Sequence, residues 1–122
     1  MTELPPLGLG YPGTELRRRL VAAVLSGEKT ATAGLAEDGE SPPRPGDRYL
    51  LHDAEEQPVG IVEVTEARIV PAGEIDLDFA HDEGERFESV EDWRLAHERF
   101  FERPIPDDTL IVALRFKLEE RF

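Results

Sequence analysis

The sequence predicts an α+β fold, a small mixed β-barrel with helices packed on its outside. Two observations lead there. Helix-like and strand-like segments follow one another as α-β-β-β-α-α-β, which has too few β-α-β units for a doubly wound sheet. The strand-like segments also carry period-two alternation, clearest through Ile61, Glu63 and Thr65. A chain of 122 residues suits one domain with its own core. The expected domain therefore spans 1–122, with 1–13 as an irregular lead-in.

The elements follow in order. Residues 1–13, "MTELPPLGLGYPG", hold Pro and Gly in turn-forming combinations. Thr14 can cap a helix in which Leu16, Leu20, Ala23 and Val24 recur at helical spacing, with Arg17, Arg18 and Arg19 largely on other faces. Gly27 stops that helix as a C′ residue. Residues 29–35 form a short strand, and 37–47, "EDGESPPRPGD", a loop by composition. Strands follow at 48–53 and 58–72, and a short helix covers 75–84. Ser89 caps a helix over 89–103, whose apolar stripe is Trp93, Ala96, Phe100 and Phe101. Residues 108–119 make the last strand.

Composition narrows the function. The formal charge is −13, a poor match to duplex DNA or an anionic membrane, because counterion release needs a basic face. A small neutral ligand, or a short polyanion in a locally basic cleft, remains compatible. The chain has no cysteine, so disulfides, thiolate metal sites and a cysteine nucleophile are excluded. No apolar run reaches the roughly 18–20 residues of a membrane helix. The first residues lack the basic cluster of a signal peptide. A soluble, cytoplasmic protein is expected. Dinucleotide and P-loop glycine motifs, the G-x-S-x-G elbow and H-E-x-x-H are all missing from the sequence.

Three stretches can carry chemistry. In "GEKTAT" (27–32), Lys29 is one of only two lysines in an arginine-rich chain. A cation at a helix end complements the macrodipole, but arginine serves that purpose equally well. A lysine instead supplies a compact amine that can lose its proton when desolvated and then act as a base. Thr32 is either a nucleophile or a hydroxyl donor. On an ideal strand Lys29 and Thr32 point to opposite faces, so they converge only if a turn or bulge lies between them. In "FAHDEGER" (79–86), His81, Asp82 and Glu83 lack metal-ligand spacing. Glu83 is either a lone functional carboxylate or a solvated acid. In "WRLAHERFF" (93–101), Trp93, Phe100 and Phe101 read most simply as core. Arg94 and His97, three apart, share a helical face and can reach one site together; ion pairing and a hydrogen-bonded helix histidine are the plainer alternatives.

Together these segments resemble the ASCH domain family of the PUA-like superfamily. Gly27-Glu28-Lys29-Thr30-Ala31-Thr32 is similar to its G-x-K-x-x-T signature. That stretch follows an amphipathic helix and precedes "PRPGDRYLL" and "PVGIVEVTEARIVP", similar to a Pro-x-x-Gly-Asp segment and the central strand. "FAHDEGE" and "WRLAHERFF" are similar to the Ala-x-x-Glu-Gly and Trp-Arg-x-x-His-x-x-Phe-Phe segments of a bacterial branch. The likeness is collinear over about residues 7–117. It departs from that branch at Leu114, where an acid is usual, and at Arg86-Phe87, where Gly-Asp is usual.

The resemblance implies a small barrel with flanking helices and a cleft for RNA or a nucleoside-like ligand. It implies a hydrolase, in the first place a ribonuclease acting on single-stranded RNA around Lys29, with Mn²⁺ or Mg²⁺ as a cofactor in that case. Its alternatives are an amidohydrolase that deacylates N4-acetylcytidine through Lys29, Thr32 and Glu83, and a non-catalytic RNA-binding module. Tyr11 lies near the first helix, where the ribonuclease branch uses a tyrosine. Thr30, Arg94 and His97 join it as candidate substrate-binding residues. The backbone N–H groups around Gly27–Thr30 are the available oxyanion donors.

Overall fold

A computed structural model describes residues 4–38 and 43–122. Helix α1 (Glu15–Ser26) opens at Thr14, whose hydroxyl accepts from the Arg17 N–H, and closes at Gly27 in the left-handed region at φ 88°. β1 (Ala31–Leu35) runs into a 3-10 turn (Ala36–Asp38). β2 (Arg48–His52) and β3 (Pro58–Pro71) form an antiparallel pair, and β3 leads through a second 3-10 turn (Ala72–Glu74) to α2 (Leu77–Asp82). α3 (Val90–Phe101) and β4 (Leu110–Arg121) complete the chain. Asp76 and Ser89 cap α2 and α3 by accepting from the N–H groups of Phe79 and Asp92. The expected strand at 29–35 begins only at Ala31, and this shift bears on the site. Part of the expected loop, 39–42, lies outside the described residues.

The four strands form one antiparallel sheet in the order β1-β4-β3-β2, curled into a half-barrel. The described part of the lead-in, 4–13, is irregular but docked. The Leu7 N–H donates to the Leu50 carbonyl at 2.9 Å, and the Leu50 N–H donates to the Pro5 carbonyl at 2.8 Å. The resulting parallel bridge of Pro6 with Leu50 lies on the outer edge of β2. The lead-in thus adds a single parallel bridge to an antiparallel half-barrel.

Each sheet face packs its own core. Ala31, Leu35, Ile111 and Ala113 meet Phe79, Trp93 and Ile105 from the α2–α3 side. Val62 and Phe116 meet Leu20, Val21 and Val24 of α1 and close under Leu7 and Leu9. Arg17 lies off the apolar stripe of α1 by its spacing and is nonetheless buried. Its guanidinium donates to the carbonyls of Leu9 at 2.6 Å, Gly10 at 3.0 Å and His52 at 3.3 Å. A buried fork with several donors tolerates such a site because each of its three nitrogens meets a carbonyl oxygen.

Candidate functional site

Lys29 sits between the end of α1 and the start of β1. Its own N–H donates to Ala23 of α1 at 3.0 Å, and the Thr30 N–H donates to Asp82, the last residue of α2, at 2.7 Å. Two helix ends thus hold the short link before the strand. Gly84 adopts φ +72°, and a Cβ there would stand 2.8 Å from the Glu28 carbonyl oxygen and the Lys29 Cα. Only glycine lets the chain after α2 lie flat on the Lys29 backbone. That approach brings the Glu83 carbonyl within 3.0 Å of Lys29 Nζ.

The side chains of Lys29 and Glu83 are each only 1% exposed, with Nζ 3.7 Å from Glu83 Oε1. Trp93 Nε1 donates to Glu83 Oε2, and His97 Nε2 lies 3.3 Å from Oε1. Trp93 and His97 are one helical turn apart on α3, their rings stacked at 4.4 Å. His97 Nδ1 is 2.7 Å from the Trp93 carbonyl oxygen. Both ring nitrogens therefore face acceptors, and only the doubly protonated imidazolium satisfies both.

The electrostatics agree with the geometry. Burial disfavours the His97 cation, but the Glu83 hydrogen bond and charge, the Trp93 carbonyl and Glu85 outweigh it and raise the His97 pKa. Burial likewise pushes Glu83 up, yet His97, Lys29 and Trp93 hold it below the usual carboxylate range. For Lys29 burial wins: its pKa falls despite Glu83 and Glu85. Burial raises Glu85, helped by the Glu83 charge and opposed by Lys29. These directions favour an ionised Glu83–His97 pair, and beside it burial pushes the Lys29 amine towards its neutral form.

Lys29, Thr32, Glu83 and His97 all line one cavity of about 530 Å³, bounded by α1, α3 and β1. The expected obstacle to Lys29 and Thr32 sharing a site dissolves because Lys29 precedes the strand. The alternation that would separate them does not extend that far. Tyr11 and Thr30 do not line the cavity: Tyr11 is exposed and stacks at 5.3 Å on Phe100, which does, while Thr30 lends its backbone to α2 and β4. Arg94 does not join His97 there. It pairs with Asp107 at 2.6 Å, while His97 points at Glu83.

Arg19, Glu85 and Arg99 also line the cavity and were missed from sequence. A signal existed. Leu16, Arg19 and Leu20 on α1, and Ala96, Arg99 and Phe100 on α3, each repeat at i, i+3, i+4 and each line the chamber. Cations inside an apolar stripe mark its rim.

The donors do not suit a divalent ion. His81 is exposed, Asp82 pairs with Arg115, and Glu83 is taken up by His97, Trp93 and Lys29. Among the described residues no group of three or more His, Asp or Glu side chains is placed to hold a metal. Among them, too, no helix is long and apolar enough to cross a membrane.

No curated protein is significantly similar to the chain. Among solved structures, it is similar to a protein from Enterococcus faecalis V583, with 26% identity and a TM-score of 0.87 over 99% of this chain and 79% of that one. It is also similar to an ASCH domain from Lactobacillus crispatus JV V101, with 27% identity and a TM-score of 0.75 over 84% of this chain and 72% of that one. An ASCH protein from Zymomonas mobilis shares the fold at 11% identity and a TM-score of 0.58, over 84% of this chain and 66% of that one. The ASCH domain family model matches residues 10–120. The chain therefore belongs to the ASCH domain family and has its PUA-like fold.

Proposed function

We propose that this protein is an amidohydrolase that removes an acyl group from the exocyclic nitrogen of a modified, N4-acylcytidine-type nucleoside. The observation that carries this reading is the buried Lys29–Glu83 pair with Thr32 on the wall of the same chamber. A volume of about 530 Å³ fits the usual range of small-molecule sites. Phe100 and Phe101 offer apolar ring surface for a base.

The chemistry takes Lys29 in its neutral form, the direction in which burial pushes it. A neutral Lys29 amine donates one hydrogen to the Glu83 carbonyl and keeps its lone pair for the Thr32 hydroxyl proton. Thr32 Oγ attacks the acyl carbon, the C–N bond breaks, and the ammonium of Lys29 returns the proton to the leaving nitrogen. Water then hydrolyses the Thr32 ester with Lys29 again as base, releasing the carboxylic acid. Glu83 stays ionised throughout and positions Lys29 and His97, so it is a positioning residue and not the proton donor.

A second reading, a hydrolase of single-stranded RNA, draws support from Arg19 and Arg99 on the chamber wall, where guanidiniums suit phosphate. It fits less well with a lysine biased towards neutrality. The two are separated by giving wild type, Lys29→Met and Thr32→Val both N4-acetylcytidine and a single-stranded RNA, each with Mn²⁺ and with chelator. Acetate release that survives chelator and drops by about 10²–10⁴-fold in both variants supports the amidohydrolase. Undiminished release from Lys29→Met sinks it, and metal-dependent RNA cleavage without acetate release favours the second reading.

A further inference from the structure

Thr32 lines a second cavity as well as the first. Cross-strand register sets Thr32 opposite Leu114, Gly34 opposite Val112 and Ile69 opposite Val112. Directly opposed residues share a face, so these side chains lie on the face that further along carries Phe116. At the Phe116 end that face is filled by α1, Leu7 and Leu9. At the other end no core residue among the described ones fills it. A cavity of about 500 Å³ lies there, lined by Leu7, Tyr49, Ile69, Val112 and Leu114. It includes β1 and β2, the two outermost strands, so it occupies the hollow of the half-barrel.

The two cavities share Gly8, Thr32, Ala33, Gly34 and Phe101, but their chemistry differs. The first contains Lys29, Glu83, Glu85, His97 and two arginines. Among the described residues the second has no charged side chain on its wall. Ile69 there is 48% exposed, an apolar side chain left in water. At Gly34 a Cβ would meet nothing within 4 Å, so the groove has room beside the Thr32 hydroxyl. The polar and apolar halves divide at the residue proposed as nucleophile.

We infer that the hollow of the half-barrel is the acyl pocket of this site, and that the acyl group removed is an aliphatic chain longer than acetyl. This rests on the amidohydrolase reading. A substrate cleaved at Thr32 leaves one product on each side. The hydrogen-bonding amine belongs in the chamber with Lys29, and the uncharged acyl chain belongs against Ile69, Val112 and Leu114. An acetyl methyl leaves most of that groove empty, whereas each further methylene taken out of water adds a factor of about four in binding.

The test compares kcat/KM for N4-acetyl-, N4-butanoyl- and N4-hexanoylcytidine. The expected result is a rise of at least about tenfold from acetyl to hexanoyl, partial burial of the added methylenes being assumed. Val112→Trp, which narrows the groove, is expected to reduce the hexanoyl-to-acetyl ratio by at least about tenfold. Ile69→Glu, at a half-exposed position with little folding risk, puts a charge beside the chain and is expected to lower the same ratio. Hydrolysis of all three amides with a flat or falling preference, unchanged in both variants, overturns the acyl pocket and leaves the amidohydrolase standing. No hydrolysis of any of them overturns both.

Discussion

Lys29 and Glu83 are held at a cost that stability does not explain. Replacing a buried amine–carboxylate pair by apolar residues of the same volume is often neutral or stabilising, and here the lysine meets its partner carboxylate only at 3.7 Å. The contact that fixes it is a carbonyl, delivered by the close approach of Gly84. Part of this was legible in the sequence. The choice of lysine over arginine pointed at a compact amine, and Glu83 stood out before a glycine. The burial of Glu83 was not legible, because no periodicity covers a residue just beyond a helix of six residues. Its surroundings come from α3 and from the link before β1. Gly84→Ala tests whether the approach matters. The left-handed φ costs about 1–2 kcal/mol for a residue with a Cβ, and contacts at 2.8 Å with backbone atoms force a shift besides. We expect a loss of about 2–4 kcal/mol in urea unfolding, within the range of severe single substitutions. Deacylation should fall more than 10-fold in the fraction still folded, a proximity effect about this large being usual for misplaced catalytic groups. A variant with wild-type stability and activity would show that Lys29 is positioned by something else.

Elements were easier to read than the contacts between them. All helices and strands appear in the expected order, since capping residues and period-two alternation are local signals. The β1 boundary moved by two residues because the Lys29 and Thr30 amides are drawn to α1 and α2 and not to a neighbouring strand. The docking of the lead-in was invisible for a related reason. Its anchor, Arg17, sits on a helix whose arginines look equivalent in sequence, yet only Arg17 points at Leu9, Gly10 and His52. This link matters for the site because Leu9 and Gly10 line the chamber. Arg17→Ala removes the donors of three carbonyls, each bond to a charged group being worth about 1.5–3 kcal/mol. Water can reach part of the gap, so a destabilisation of about 3 kcal/mol is expected. Amide exchange should accelerate first at Leu7, whose N–H holds the lead-in to β2. Equal acceleration at Leu7 and at Val112 in β4 would mean that Arg17 supports the fold globally and not this segment.

At the scale of the whole molecule, a net charge of −13 surrounds a site whose central carboxylate, Glu83, is met by His97 and Lys29. Self-repulsion of such a chain grows as its remaining protons leave, which destabilises the folded state with rising pH whatever the site does. The site adds its own dependence. His97 faces Glu83 beyond α2, with Glu85 and Lys29 close by, and its folded pKa is raised above 6.5. The folded state therefore holds this proton more tightly than the unfolded chain. The stabilisation is fully present below the unfolded value and is lost as pH rises through the folded one. Glu83 acts at the acid end: its pKa is lowered from 4.5, so its contribution is present above that value and lost as pH falls through the folded pKa. Lys29 has the opposite slope from His97, because a depressed amine lets stability rise with pH between its lowered folded value and 10.5. Subtracting a His97→Gln variant from wild type removes the global repulsion, which both proteins share. The difference in unfolding free energy should be about 2–3 kcal/mol at pH 6, the order expected for one partner of a buried hydrogen-bonded charge pair. It should shrink on going to pH 9. A difference that stays constant across that range would mean that the folded and unfolded states hold the His97 proton equally tightly, and one that grows with pH would mean that His97 is neutral in the folded protein. Glu83 would then lack the cation that keeps it ionised, and it would be free to take up the proton that the mechanism assigns to Lys29.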